Sequence, residues 1–493
     1  MKKKLIVLII SILLTQITVS PLQTFADSFT NTKKDTLEEN FNNNELTEDE
    51  IIHQVYVTDF KNRIGENNFK NFINEDSSHK TFINWLLDNQ FALMEYLQGG
   101  YASNNVEKHM NSYQYKNKLN EKDELKALSI WYDIWSKYPN SHNGVNLKIA
   151  MAVSLEFANG VNTWLTNSPI DPISRYKLYE DAYLNKQLIM TDEFNDEFSA
   201  YTVKEFRNIV NNKASNEDIE WLRNYMKENH PNMINRKDIT SGYSLLKYTE
   251  TNPEGESVYG PNFYGPNPTI EKVIEYGGVC GAMSKFSSIL AQSFGIPAFP
   301  VGQPGHCAFV YLDSNHNYRL GYDVYGWEKS AGYNSTLPYM FVNNIFSKNI
   351  DKYYESDFYM RLSNNTFDKD EALKLINLAI KQEPLNYEAW KKKFKILLDN
   401  ANTEYDEINS TIDEMNNTFL KYPVIKDDIL WQSNKNNREI KFLGLGDSQY
   451  ADLKVNFINN KLTLHIFKGK PHEYFKNESY EKIDILDEND NIV

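Results

Sequence analysis

The chain has 493 residues, 67 of them acidic and 52 basic, for a formal net charge of −15. So acidic a chain excludes the electrostatic footprint of a nucleic-acid binder and predicts a soluble protein repelled by anionic surfaces. The length allows about two to four domains.

Met1-Lys2-Lys3-Lys4, an almost wholly apolar run from Leu5 to Val19, and Thr24-Phe25-Ala26 read as a secretory leader cleaved after Ala26. The run is short for a full membrane span, and an uncleaved anchor is the alternative. No other stretch is apolar enough to cross a bilayer, so the expectation is a secreted, released protein with residues 1–26 removed. The leader carries three lysines and no acid, so cleavage makes the chain more acidic still. Richness in Asn, Lys, Ile and Tyr is the composition of a bacterium with AT-rich DNA.

Residues 27–46 are polar and poor in apolar side chains, which predicts a disordered lead. Thr47-Glu48-Asp49-Glu50 is a capping box, and residues 47–250 read as a helical region. Phe82, Trp85, Leu86, Asn89 and Leu93 share one helix face, and Leu128, Trp131, Ile134 and Trp135 another; both read as core stripes. Ile149 to Phe157 is apolar nearly all round, which predicts a buried helix. Turn signals at 137–140 and 168–172 separate the helices.

Residues 251–345 carry the chemistry. The Pro- and Gly-rich loop at 251–268 reads either as a wall of the cleft, bringing Tyr259 or Tyr264 near the reacting atoms, or as a linker. Gly277-Gly278-Val279-Cys280-Gly281 reads as a tight turn leading into a helix marked by Ala282, Phe286, Ile289, Leu290 and Phe294, which Gly295 and Pro297 stop. A thiol at a helix N-terminus is biased to the thiolate, and the N–H groups there, Gly281's included, can hold an oxyanion. Strands follow at 298–301, 306–312 and 317–324, the last two around a polar break at 313–316. A four-residue loop would set Leu312 opposite Asn317 and, counting back, His306 opposite Asp323. Cys280, His306 and Asp323 then form a nucleophile, its base and the group orienting that base. By the strand pleat, Cys307 is expected to face away from Cys280 and to be structural. The other reading of the two cysteines is a Cys280–Cys307 disulfide. Gly281, Tyr259, Tyr264, Gln303 and Trp327 are the candidate oxyanion donors and cleft residues.

The order Cys280, His306, Asp323, with Gly295-Ile296-Pro297-Ala298 after the helix, resembles the transglutaminase-like superfamily of papain-type folds over residues 255–330. Two positions depart from that pattern: the aromatic after the His is Phe309, one place late, and Val324 replaces the usual Pro. The resemblance implies an α+β core and cofactor-free acyl chemistry on a protein or peptide amide.

Residues 366–432 read as helical. Ala372, Leu375, Ile376 and Ala379, then Tyr387, Trp390, Phe394 and Leu397 after the Pro384-Leu385-Asn386 break, resemble one tetratricopeptide-type unit. From 438 the pattern alternates, with Leu462, Leu464 and Ile466, then Ile483 and Ile485. Phe442-Leu443-Gly444-Leu445-Gly446-Asp447, Pro471-His472, Tyr474-Phe475 and Ser479-Tyr480 resemble the mucin- or carbohydrate-binding module of enhancin-type proteins. That implies a glycan or glycoprotein partner for residues 438–493, with His472, Tyr474, Phe475 and Tyr480 as binding candidates; the plainer reading makes the aromatics the core of a small β unit. The nine histidines show no metal-ligand spacing, and no cofactor or metal is expected.

The fold class expected is α+β: helical N-terminal region, transglutaminase-like core, short helical region, β tail. The function expected is a secreted cysteine hydrolase of peptidase type, with acyl transfer as the second chemistry. The alternative is a non-catalytic adhesin or carbohydrate-binding protein whose transglutaminase-like domain is inactive.

Overall fold

A computed structural model describes residues 48–102, 104–109, 112–117, 119–189, 200–303, 305–326, 331–332, 337–364, 366, 368–399, 403, 405–422, 425–426, 429, 438–443, 450–458 and 461–468. The expected leader and polar lead at 1–46 lie outside them. The protein is α+β: mostly helical, with a small antiparallel sheet inside the helices and a separate three-stranded sheet in the tail.

Four helices open the described chain: α1 (Glu48–Ile64), α2 (Glu66–Glu75), α3 (Ser77–Asp88) and α4 (Gln90–Gln98). Gly65 at φ +85° separates the first two, and the side chains of Asp76 and Asn89 cap the next two by accepting from Ser78 and Ala92 N–H. A hairpin, β1 (Asn104–His109) and β2 (Ser112–Asn117), then interrupts the region expected to be helical throughout. Its sequence has no apolar set at helical spacing, and Val106, Tyr113 and Tyr115 suit a polar two-stranded ribbon. Helices α5 (Glu121–Lys137), α6 (Gly144–Phe157), α7 (Pro172–Leu184), α8 (Val203–Val210) and α9 (Asn216–Asn229) follow. The turn signals act as expected: Pro139 opens a short 3-10 turn, and Pro172 sits in the first turn of α7 behind the Asp171 cap. Helix α6 is buried on nearly every face, in accordance with its sequence.

After α10 (Arg236–Ile239) and α11 (Ile270–Tyr276) comes α12 (Cys280–Ser293). Gly295 at φ +83° ends α12 by a Schellman arrangement: its N–H bonds Gln292 O at 3.0 Å, and Ile296 N–H bonds Ala291 O at 3.0 Å. The central sheet has the order β5 (Tyr318–Gly321), β4 (His306–Leu312), β3 (Ala298–Gln303), β6 (Ala331–Gly332), all antiparallel. Phe299, Val301, Ala308, Val310, Leu312 and Tyr318 enter the first core with α6 and α8. Helix α12 covers the opposite face and, with α9 and α11, builds a second core around Phe286, Ile289, Leu290 and Phe294. Each such side chain contributes about 1.5–3 kcal/mol relative to exposure, so α12 is held rigidly on the sheet.

A third core joins α13 (Leu337–Lys348), α14 (Ile350–Asn364), α15 (Lys369–Gln382), α16 (Tyr387–Asp399) and α17 (Tyr405–Thr418). Helices α15 and α16 flank the Pro384-Leu385-Asn386 break, with Trp390 Nε1 donating to Pro384 O at 2.8 Å. The tail strands β7 (Arg438–Leu443), β8 (Tyr450–Ile458) and β9 (Lys461–Lys468) form an antiparallel meander pairing Leu453 with Ile466.

Candidate active site

The turn before α12 is built by close backbone approach. Gly277 has φ +75°, and a Cβ there would lie 2.0 Å from Lys247 O, so only glycine fits. Residues 247–249 run beside the turn: Gly278 N–H donates to Lys247 O at 3.0 Å and Thr249 N–H to Gly278 O at 3.1 Å. Tyr264 Oη donates to Gly277 O at 3.0 Å, and its ring is edge-on to Phe263 and Trp164. The result presents Cys280 as the first residue of α12, half-buried, behind Val279, which caps with no side-chain bond. The N–H groups of Cys280 and Gly281, in the first turn, have no acceptor inside the helix.

The β4 strand brings both His306 and Cys307 to this thiol. Burial opposes a charge on Cys280, but hydrogen bonds from Cys307 first and from His306 next, with the imidazolium charge, hold its thiol far below the ordinary range. Burial also works against the His306 imidazolium; the hydrogen bonds to Cys280 and to the Tyr322 carbonyl, with the charges of Cys280 and Asp323, more than offset it and raise its pKa. Cys280 and His306 thus favour a thiolate–imidazolium pair. The expectation that Cys307 faces away is corrected. It stands on the α12 side of β4, alternating with the inward Ala308 and Val310 of the first core, and its Sγ lies 3.9 Å from where a Gly281 Cβ would be. His306 is the first residue of the strand, next to Gly305 at φ +63°, so its ring reaches Cys280 around the strand end. Neither cysteine is in a disulfide.

The hairpin register differs by one from the expected one. Leu312 pairs with Tyr318, and the ladder ends at Phe309–Gly321. The Phe309 ring lies over Gly321, where a Cβ would come within 2.3 Å of it. Tyr322 then adopts φ +55°, a left-handed conformation that costs on the order of 1–3 kcal/mol for such a residue. That turn ends β5 short of 324 and aims the Tyr322 carbonyl at His306 Nε2, 2.7 Å away. Donation from Nε2 fixes the tautomer and leaves Nδ1 as the basic nitrogen. Asp323 therefore does not sit opposite His306 on the ladder. Its carboxylate accepts from Gln303 Nε2 at 2.6 Å and from the N–H groups of Tyr325 and Gly326 at 3.1 and 2.9 Å. Burial works against its charge, but these donors outweigh it and keep its pKa low, and its charge supports His306 from that position.

The other candidates divide. Gln303 is buried, and its amide is spent on the 323–326 turn: Nε2 donates to Asp323 and to Gly326 O at 3.2 Å, and Oε1 accepts from Val324 N–H at 3.1 Å. Tyr264 is likewise corrected from an oxyanion donor to a brace, its proton given to Gly277 O. Gly281 keeps its place at the helix start. Tyr259 is 79% exposed, and Tyr248 (50%) and Val324 (56%) are exposed as well. Trp327, His472, Tyr474, Phe475 and Tyr480 lie outside the described residues. Sequence reading missed Tyr248, Tyr322 and Cys307. The Cys280 charge is felt at Tyr248 and Tyr322, where it adds to burial in raising both phenols. Strand parity alone misplaced Cys307, because which face of β4 lies on α12 is set by the packing of Tyr311 against the second core and not by the sequence. Among the described residues no group of three His, Cys, Asp or Glu is placed to hold a metal, and no helix is long and apolar enough to cross a membrane.

A family model described as "putative mucin or carbohydrate-binding module" matches residues 441–493. No curated protein and no solved structure matches the chain.

Proposed function

We propose that the chain is a secreted cysteine hydrolase of transglutaminase-like fold, cutting an amide bond in a protein or peptide, with its tail directing it to glycan or mucin. The observation that carries this reading is the half-buried Cys280 at the start of α12 with His306 against it. His306 Nδ1 takes the thiol proton, and the thiolate attacks the substrate carbonyl. The N–H groups of Cys280 and Gly281 face the oxyanion that forms. His306 returns the proton to the leaving amine, leaving a thioester on Cys280. Water, deprotonated by the same nitrogen, releases the acid; an amine in its place completes acyl transfer. Tyr248, Tyr259 and Val324 offer an apolar mouth for the residue beside the scissile bond. The matched module supports glycan or mucin as the surface on which the enzyme works.

The test is turnover of a peptide library and of mucin glycopeptides by the full chain, against Cys280→Ala. Cleavage or amine incorporation lost in Cys280→Ala supports the reading. The second reading is a non-catalytic glycan-binding protein, favoured by the same module match. It is sustained if iodoacetamide labels Cys280 no faster than a free thiol at neutral pH and no substrate is turned over.

A further inference from the structure

Cys307 has no part in the steps above, yet it is a partner of the nucleophile. The protein has two cysteines in 493 residues, and the fold brings them together from 27 positions apart, one on the first turn of α12 and one on the second residue of β4. Neither is in a disulfide, and both are partly exposed. Cys307 Sγ reaches the Gly281 Cβ direction at 3.9 Å, and it is hydrogen-bonded to Cys280. A cation stands on the same side. Lys285, one turn along α12 from Gly281, is held over the Trp164 ring at 5.2 Å; burial lowers its ammonium's pKa, and the Cys307 charge acts against that. A lysine beside a thiol favours the thiolate that exchange chemistry requires.

We propose that Cys280 and Cys307 act as a dithiol that closes to a reversible disulfide by exchange with a low-molecular-weight disulfide, Cys280 attacking and Cys307 resolving. The Cys280 thiolate attacks one sulfur of RS–SR. A Cys280–S–S–R bond forms, and RS⁻ leaves and takes a proton. The Cys307 thiolate, its proton released to solvent, then attacks the Cys280 sulfur; the protein disulfide forms and a second RS⁻ leaves. The small disulfide gains the two electrons that the two thiols lose. Closure brings the sulfurs to about 2.05 Å by rotation of the two side chains, with α12 and β4 staying in place. While closed, the site has no nucleophile, and a small thiol reopens it by the reverse exchange. Without a thiol at 307 the site would lack this protection and would retain the small thiol as an adduct.

The experiment uses the full reduced chain and glutathione buffers of stepped oxidised-to-reduced ratio, with peptide mapping under non-reducing conditions. The expected products are a linked 280–307 peptide, complete loss of iodoacetamide uptake at Cys280, and full recovery after dithiothreitol. Cys307→Ser, or Cys307→Ala if the serine variant fails to fold by circular dichroism, is expected to stop at a stable glutathione adduct on Cys280. If the wild-type chain also stops at that adduct, or if the adduct forms first on Cys307, the proposal is overturned. The readout is thiol state rather than turnover, so its outcome is separate from that of the proposed hydrolase.

Discussion

The ionisation of Cys280 and that of His306 move in opposite directions: the Cys307 hydrogen bond first and the His306 imidazole next lower the thiol, and the thiolate in turn helps raise the imidazole. The thiol is lowered, so its thiolate survives into acid; the imidazole is raised, so its proton survives past the ordinary His range. The pair is therefore charged between the two shifted values, and alkylation of Cys280 by iodoacetamide should be nearly flat from about pH 5 to 8. In His306→Ala the midpoint is expected to climb toward the ordinary thiol value of about 8.5. An unshifted midpoint in that variant would mean that the imidazole does not hold the thiolate. Asp323 and Asp313 offer a second residue-level test. Asp323 reaches His306 by charge while its oxygens are occupied by Gln303 and the 325–326 amides. Asp313 accepts from the N–H groups of Asn315 and Asn317 and from Arg319 Nε, away in the loop. Asp323→Asn should lower turnover on the order of tenfold, well short of the ~10⁴-fold loss when an aspartate bonds its histidine directly. Asp313→Asn should keep turnover and cost about 1 kcal/mol of stability. Turnover kinetics and thermal melts on both variants separate the two roles.

Among the elements, helix α12 was legible in the sequence from end to end, since Gly277-Gly278 and Gly295 are backbone requirements printed as residue types and Phe286, Ile289, Leu290 and Phe294 mark its inner face. The β4–β5 hairpin was legible as a hairpin but not in register. A polar four-residue break allows two registers, and what decides between them is the Asp313–Asn317 turn, with Asp313 N–H donating to Asn317 O at 2.9 Å, and the Phe309 ring seated on Gly321. Neither is a pattern along the chain; both are contacts across it. The left-handed Tyr322 was unreadable for the same reason, since nothing in a tyrosine announces positive φ. The hairpin at 104–117 was hidden inside a region whose flanks are strongly helical. The turn bearing Cys280 can be probed through its brace. Tyr264→Phe removes the bond to Gly277 O and leaves the ring packed on Phe263. It should cost roughly 0.5–1.5 kcal/mol and slow Cys280 alkylation, as read by melting and by labelling rate. Unchanged labelling would show that the glycine pair holds the turn alone.

For the whole molecule, three cores divide the described chain up to 429, and the tail sheet follows as a further unit. Deleting 438–493 should therefore leave folding and the Cys280 alkylation rate unchanged while abolishing retention on immobilised mucin. A folded truncation with altered alkylation would show that the tail shapes the site. The first two cores meet across the central sheet, where β3 gives Phe299 and Val301 to the first and Ala298 to the second, and β4 does the same. Ala308, Val310 and Leu312 of β4 belong to the first, while Tyr311 packs against the second from the other face. A strand that serves as the party wall of two rooms cannot shift unless both are vacated. Its amides should exchange with deuterium only through opening of the whole, whereas residues 247–249, hung on Gly278 by two backbone bonds, can peel away at small cost. The strip beside Tyr248 is thus the hinged shutter, with the Gly277–Gly278 turn as its hinge, and the wall carrying His306 is the masonry.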